Sequence, residues 1–373
     1  MAYKKSRNQQ QKEKKMMQDV QDNLHLTEVN ISKKLGISRR SVTKCKKKLN
    51  TFQEHLKENG FEQDFNHGWL KVDGASIHIK NNLPSKTYLD MRDEILIDMK
   101  EYSPEYKKIS YEVKNNGHLL IVDLADVHFG KLATKTETNN KYNLKIAEKR
   151  CLEGVVGLLE KSKNFHIDEI HLIMGNDMLH IDTPFRQTTA GTPQDTDGMW
   201  MDAFQVAKRT FIKVIEQLMD EAKLKVIFNP SNHDYMSGYF LADSIASWFA
   251  KTDIEFDTSI KHRKYHMYGN SLIGTSHGDG AKEINVPLIM AQEAPIMWSK
   301  TKYRYVYLHH VHHKMKKVTQ TAKDYVGVTI EYMRSPSGTD RWHFDNGYLS
   351  HKAIEGFIHS KENGQVARLT HYF

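Results

Sequence analysis

The segment HLLIVDLADVHFG, residues 118–130, decides the fold. It begins with a run of Leu, Ile and Val that predicts a buried β-strand, and it ends with an Asp and a His that can bind metal. Four later segments follow the same order of apolar run and polar end: IDEIHLIMGNDMLH (167–180), LKVIFNPSNHD (224–234), NSLIGTSHGDG (270–280) and YRYVYLHHVHH (303–313).

Helical patterns separate the first three of these segments. Residues 143–162 and 197–223 carry apolar residues at helical spacing. Strands that alternate with helices predict an α/β fold with a buried sheet. In such sheets ligands bind beyond the carboxyl ends of the strands, where this chain places its polar residues. The sequence therefore predicts an α/β fold whose site lies at one sheet edge.

The strand ends carry the residue types of a metal centre. The chain has only two cysteines, so zinc held by a cysteine cage is excluded. Carboxylate, imidazole and amide donors suit Mn²⁺, Fe and Zn²⁺. Positions i and i+2 of a strand face the same way, so His310 and His312 are expected to converge. His309 and His313 would point away, in a structural or substrate-facing position.

Five short motifs carry a family resemblance: DVH (126–128), GND (175–177), SNHD (231–234), SHGD (276–279) and HHVH (309–312). In this order they resemble the calcineurin-like metallophosphoesterase superfamily over residues 116–330. The Asn-His-Asp ending is most similar to the phage-type DNA double-strand-break repair nucleases and to cyclic-nucleotide phosphodiesterases. The resemblance implies a metallophosphoesterase β-sandwich flanked by helices.

The resemblance also implies two divalent metal ions about 3.5–4 Å apart. Mn²⁺ is expected first, with Fe, Zn²⁺ and Mg²⁺ as alternatives. The implied ligands are Asp126, His128 and His312 for the first ion, Asn232, His277 and His310 for the second, and Asp177 as the bridge. Such a pair activates water as a hydroxide nucleophile and neutralises phosphate charge. His233 would protonate the leaving alkoxide.

Some positions depart from the family pattern. Asn176 stands where the family has Asp, and we take Asp177 as the bridge because a bridging ligand needs a carboxylate. His180 stands where the family often has an Asp that pairs with the catalytic His, and Asp182 is the nearest substitute. Ser231 and His309 replace family glycines, which affects the predicted backbone there.

Two polar loops supply candidate substrate-binding residues. Arg186 lies in the loop over residues 180–200, where a long loop in a compact domain suggests a functional segment. Arg334 and Arg341 lie in the loop over residues 331–348, beside Trp342. An arginine next to an aromatic ring can bind phosphate and stack a base. A solvated arginine or a structural loop explains each position equally simply.

The first 60 residues hold 15 Lys and Arg against 6 Asp and Glu, and they carry the entire positive excess of the chain. Within residues 24–50, Thr27 and Ser38 suit helix N-caps and Gly36 suits a helix C-terminus. This predicts a helix-turn-helix, and four cations on its second helix are candidate DNA-binding residues: Arg39, Arg40, Lys44 and Lys47. A plain helical hairpin with a basic face, or a solubilising tail, is the alternative.

The predicted organisation has three parts. Residues 1–60 form the small helix-turn-helix domain, residues 61–115 form a connector, and residues 116–373 form the metallophosphoesterase domain. The connector should contain a β-hairpin over residues 67–80, because Asp-Gly marks a tight turn. A polar helix is predicted over residues 84–110.

We therefore predict a two-metal-dependent phosphodiesterase, a DNA nuclease, with DNA as its partner. A phosphatase or a nucleotide or cyclic-nucleotide phosphodiesterase is the second hypothesis, and a non-enzymatic DNA-binding regulator is the third. No run of about 18 apolar residues predicts a membrane span. Two distant cysteines favour the cytoplasm, and the resemblance allows a homodimer.

Overall fold

The computed structural model describes residues 15–47, 67–72, 75–80, 103–111, 116–310, 322–347 and 350–373. The chain divides into two compact units, residues 1–91 and 92–373. The predicted domain boundaries at residues 60 and 115 fall outside the described residues.

The first unit contains the two capped helices that the sequence predicts. Helix α1, Glu28–Leu35, begins after Thr27, whose side chain accepts a hydrogen bond from the Asn30 amide at 3.4 Å. It ends at Gly36, which has a left-handed backbone with φ of 65° and so needs glycine or a close substitute. Residues 39–47 are helical, and Ser38 Oγ accepts a hydrogen bond from the Ser41 amide at 3.1 Å.

One face of these helices is buried and the other is basic. The small core contains Val20, Ile31, Val42 and Cys45. The four candidate DNA-binding residues on the second helix are all exposed: Arg39, Arg40, Lys44 and Lys47. The apolar residues recur at helical spacing and form the buried face, whereas the four cations lie on the exposed face, as the sequence predicts. DNA binding by this face stays a prediction.

The predicted hairpin is confirmed, but part of the predicted connector helix is wrong. Strands β1, His67–Val72, and β2, Ala75–Lys80, are antiparallel, and Val72 pairs with Ala75. Residues 103–111 contain no helix. Pro104 disfavours helical backbone at Ser103, the residue before it. Residues 81–102 lie outside the described part of the chain.

The second unit is built on two mixed sheets. The larger sheet comprises β3 His118–Asp123, β4 Ile167–Gly175, β5 Lys223–Asn229, β6 Glu255–Asp257, β12 Ala353–Ser360 and β13 Gly364–Tyr372. The smaller comprises β7 Arg263–Tyr268, β8 Ser271–Ser276, β9 Tyr303–Leu308, β10 Ala322–Tyr325 and β11 Val328–Tyr332. The larger sheet has the order β13-β12-β3-β4-β5-β6, and β3 to β6 run parallel. The smaller has the order β10-β11-β9-β8-β7, with β8, β9 and β11 parallel.

Helices cover both sheets. The helices are α2 Lys135–Thr138, α3 Leu144–Ser162, α4 Trp200–Met219, α5 Tyr235–Trp248, α6 Val286–Glu293, α7 Pro295–Lys300 and α8 Arg341–Asp345, with a 3₁₀-helix at Glu283–Asn285. The predicted helix over 143–162 is confirmed, and Asn143 caps it by accepting from the Ile146 amide at 3.0 Å. The helix predicted over 197–223 is shorter and begins at Trp200.

Strand β3 shows how the layers form. Leu120 and Val122 belong to the core between the larger sheet and helices α3, α4 and α5. Leu119 and Ile121 belong to a second core that also contains residues of the smaller sheet, so the two sheets pack face to face. All four side chains are fully buried, and burying one aliphatic side chain contributes about 1.5–3 kcal/mol.

The structure confirms a mixed α/β architecture. Both cysteines, Cys45 and Cys151, are buried and free of disulfide bonds. Among the described residues, no helix combines the length and the apolar composition that crossing a membrane requires. The layered packing brings the carboxyl ends of strands from both sheets toward one edge, where the predicted site residues lie.

Candidate metal centre

The candidate residues follow five strand ends. In the larger sheet, β3, β4 and β5 run parallel and lead into Asp126, Asp177 and Asn232. In the smaller sheet, β8 and β9 run parallel and lead into His277 and His310. Because parallel strands end at the same edge, five segments of the chain deliver polar side chains to one place.

The backbone turns sharply at most of these positions. A left-handed backbone, with φ between 49° and 66°, occurs at Asp126, His128, Asn176, Asp177 and His310. The turns are tied together, since the Asp126 amide donates to the Asn176 carbonyl at 2.7 Å and the His128 amide donates to the Asp177 carbonyl at 2.9 Å. Non-glycine residues in this conformation cost about 1–2 kcal/mol each, and they cluster at functional sites.

Glycine is required at the first position of the second motif, GND (175–177). Gly175 has φ of 93°, and a Cβ there would lie 2.1 Å from the Asn229 carbonyl oxygen. Only glycine lets β4 approach β5 this closely before the chain turns into Asp177. The Gly-Asn-Asp motif therefore combines a close strand contact with a ligand position.

The first group of donors comprises Asp126, His128 and Asp177, all of them buried. His128 Nε2 lies 4.0 Å from Asp126 Oδ1 and 3.8 Å from Asp177 Oδ2. One imidazole nitrogen and two carboxylates around a common point are donors that Mn²⁺, Fe and Zn²⁺ accept. These residues could hold one metal ion.

The second group comprises Asp177, His277 and His310. His277 Nε2 lies 3.3 Å from Asp177 Oδ2 and 3.2 Å from His310 Nδ1. Asn232 joins this group, because its side-chain oxygen lies 2.8 Å from His277 Nε2. The structure thus brings together every predicted ligand that lies within the described residues.

Asp177 belongs to both groups, as expected for a bridging carboxylate. Its Oδ1 accepts a hydrogen bond from the His233 amide at 3.0 Å. Its Oδ2 is buried and faces two imidazole nitrogens, His277 Nε2 at 3.3 Å and His128 Nε2 at 3.8 Å. A buried carboxylate needs a compensating positive charge, which a protonated His277 or a bound cation would supply. The donor set therefore fits a metal centre.

Charges in the two groups are strongly coupled. Burial raises the pKa of Asp126 to about 7, and the negative charge of Asp177 adds to the increase. Burial also opposes charging of Asp177, but His277 and His233 outweigh it and hold the pKa of Asp177 well below its usual range. Burial likewise opposes charging of His277, whereas Asp177 and Asp126 raise its pKa to about 9. Without a cation, the site therefore retains protons near neutral pH.

His233 borders the first group. Its ring lies 4.7 Å from the His128 ring, and its Nδ1 lies 2.9 Å from the His180 carbonyl oxygen. Since a carbonyl only accepts, Nδ1 carries the proton and Nε2 is the nitrogen left for other partners. The suggestion that Asp182 orients His233 is wrong. Asp182 instead accepts hydrogen bonds from the Met236 and Ser237 amides at the start of α5.

A buried network that the sequence analysis missed holds the Asp177 turn. Ser231 Oγ donates to Asp234 Oδ1 at 2.6 Å and accepts from the Asp177 amide at 2.7 Å. Asp234 Oδ2 accepts from the Leu179 amide at 2.8 Å. Burial and nearby Asp177 raise the pKa of Asp234 to about 7. The motif SNHD (231–234) already contains both side chains of this network, because Ser231 and Asp234 flank its Asn-His pair.

His309 is structural. It is fully buried, its Nε2 lies 3.0 Å from both oxygens of Asp123, and its Nδ1 lies 2.9 Å from the Ser276 carbonyl. The expectation that His310 projects from a strand is wrong, because β9 ends at Leu308 and His310 lies in a left-handed turn. His312 and His313 lie outside the described residues.

The three candidate substrate-binding arginines lie in different surroundings. Arg186 is exposed, with φ of 59°. Arg334 is half-buried and its Nε lies 3.6 Å from Glu355 Oε1, which indicates an ion pair that stabilises the fold. Arg341 is exposed and begins helix α8. Substrate binding by these residues stays a prediction.

Comparison with known proteins does not identify a family for this chain. No protein-family model matches the chain, and no curated protein matches it either.

Proposed function

We propose that this protein is a metal-dependent phosphodiesterase that acts on DNA. The observation that carries the proposal is the sharing of one carboxylate, Asp177, between two groups of metal donors. Two cations held in this way activate water and offset the charge of a phosphate group. Asp126 and His128 would hold one ion, and Asn232, His277 and His310 would hold the other.

The position of His233 favours a function in hydrolysis over a function in metal storage. Its Nδ1 is held by the His180 carbonyl at 2.9 Å, and its ring stands beside His128. The side chain is only partly buried, so a substrate could approach Nε2. When His233 is protonated on both ring nitrogens, the proton on Nε2 can pass to the leaving oxygen of a phosphodiester, while Nδ1 keeps its proton and its bond to the His180 carbonyl. We assign His233 the role of general acid.

The first unit favours DNA over a small phosphoester. The exposed cations on its second helix are separated from the buried face that carries Val42 and Cys45. A basic helix of this kind binds the phosphates of a major groove and presents its first residues to base edges. A phosphatase acting on nucleotides or phosphoproteins would not require this surface.

A panel of substrates tests the proposal. The full-length protein with Mn²⁺ is expected to cleave labelled DNA, and a chelator should abolish cleavage. Nitrophenyl phosphate, cyclic nucleotides, phosphopeptides and RNA complete the panel. Cleavage confined to small phosphoesters would establish the alternative hypothesis, and no cleavage of any member would reject enzymatic activity.

The His233→Ala variant tests the assigned role. Loss of a general acid lowers turnover by about 10²–10⁴-fold, while Mn²⁺ affinity should remain near that of the unchanged protein. His351→Ala is the matched control, because His351 is exposed and lies far along the chain from every motif. Loss of bound metal in His233→Ala would contradict the role.

A further inference from the structure

His180 touches two histidines of the centre with different atoms. It is 3% exposed and follows Asp177 by three residues. Its Nδ1 lies 3.3 Å from Nδ1 of His128. Its carbonyl oxygen lies 2.9 Å from Nδ1 of His233, and its ring stacks on the His233 ring at 5.3 Å. One residue therefore contacts both a candidate ligand and the candidate general acid.

The contact between the two Nδ1 atoms determines where the protons lie. Asp126 and Asp177 lie 4.0 and 3.8 Å from His128 Nε2, so this nitrogen faces the cation position. A nitrogen that binds metal carries no proton, and neutral His128 then has its proton on Nδ1. His180 Nδ1 must therefore accept, and the proton of His180 lies on Nε2.

We propose that His180 is a positioning residue that sets the tautomers of both neighbouring histidines. Its side chain accepts the Nδ1 proton of His128 and aims His128 Nε2 at the metal. Its carbonyl accepts the Nδ1 proton of His233 and leaves His233 Nε2 for the substrate. The second half of this statement rests on the proposed function, whereas the first half rests only on metal binding.

The same three histidines, His128, His180 and His233, could instead hold a cation among them, because one ring nitrogen from each lies close to the others. The hydrogen bonds argue against this. His233 Nδ1 already has the His180 carbonyl as its partner, and the 3.3 Å contact of His128 with His180 is a hydrogen-bond distance. We therefore expect two bound ions and no third ion at these rings.

Metal affinity tests the side-chain contact without relying on activity. Mn²⁺ binding to the full-length protein is measured by calorimetry for His180→Ala and His180→Asn. Loss of a residue that orients a ligand weakens metal binding by about 10–100-fold, and we expect this loss for the alanine variant at one ion only. The asparagine variant should recover most of it, because its side-chain oxygen can accept at the position of Nδ1.

A matched control separates positioning from folding. His171→Ala also removes a buried imidazole, which bonds Glu169 at 2.8 Å on β4. It should lower thermal stability without changing Mn²⁺ affinity. Unchanged affinity in folded His180→Ala would overturn the proposal, and so would equal losses in the alanine and asparagine variants. Three bound ions in the unchanged protein would overturn it as well.

Nitrogen NMR of histidine side chains in the zinc-loaded protein tests the tautomers directly. We expect His128 and His233 protonated at Nδ1 and His180 protonated at Nε2. A proton on Nδ1 of His180 would contradict the assignment. These measurements do not depend on turnover, so absence of DNA cleavage would reject the proposed function while leaving the His128 contact established.

Discussion

Metal binding should depend steeply on pH, because the cation must displace protons from the centre. At neutral pH the metal-free site holds a proton on His277, whose pKa is raised to about 9. Below pH 7 it also holds a proton on Asp126, whose pKa is raised to about 7. Both residues must be deprotonated to act as ligands. Metal affinity therefore falls as the pH falls.

The expected size follows from these two pKa values. Between pH 9 and pH 7 one proton competes with the metal, and affinity falls about tenfold per pH unit. Well below pH 7 two protons compete, and the fall approaches about 100-fold per unit. From pH 8 to pH 6 the combined loss is about 1000-fold, which corresponds to about 4 kcal/mol.

Calorimetric titration with Mn²⁺ under anaerobic conditions measures this effect. Repeating each titration in two buffers with different ionisation enthalpies counts the protons released. We expect at least one proton released at pH 8 and about two at pH 6. His277→Gln removes the group that titrates at about pH 9 and should flatten the profile above pH 7. A loss of affinity smaller than tenfold between pH 8 and pH 6 would refute the reasoning.

The structure supports further predictions. Asp177→Asn should weaken the binding of both ions in calorimetric titration by at least about 100-fold, because Asp177 belongs to both donor groups. Gly175→Ala should cost about 3 kcal/mol or more in urea unfolding, because its Cβ would meet the Asn229 carbonyl. Burial lowers the pKa of His266 and His359 to about 3, so the folded state favours their neutral forms. The folding stability that each histidine contributes by staying neutral is complete above about pH 6.5 and is lost as the pH falls toward 3. Between pH 7 and pH 5 the free energy of unfolding should therefore fall by about 2 kcal/mol for each of the two histidines. His266→Gln and His359→Gln should flatten that dependence, and an unchanged slope would contradict this origin.

Net charge on the second helix gives a separate test of DNA binding. Neutralising Arg39, Arg40, Lys44 and Lys47 with glutamine should lower the slope of log affinity against log salt by up to about 3.6, since each phosphate contact contributes about 0.9. The charge-matched control neutralises four exposed lysines of the second unit: Lys141, Lys145, Lys149 and Lys163. Equal slopes for the two variants would reject a specific role for this helix.

The sequence predicted the elements that have strong periodic or local signals. Apolar runs such as Leu119–Val122 identify buried strands, and Thr27, Gly36 and Ser38 mark helix ends by their own chemistry. Convergence of the ligands was also predictable, because parallel strands that end in polar residues share one edge. These inferences use only neighbouring residues and a general rule of sheet topology.

The sequence did not reveal how the ligand positions are reached. His310 was expected to follow strand alternation, but β9 ends two residues earlier and the backbone turns. The partners of His180 and Asp182 depend on which loops lie beside each other, and residues far apart in the chain supply them. Such contacts are not encoded by local spacing, so Asp182 was assigned to the wrong partner.

The left-handed turns at Asp126, His128, Asp177 and His310 have a consequence for protein engineering. Each turn is a place where the chain departs from its preferred conformation, and glycine would relieve that cost. A library selected only for resistance to heat would therefore accumulate glycine or asparagine at these positions and lose its cation-binding capacity first. Selection for thermal tolerance in this fold should thus be paired with a selection that requires bound metal.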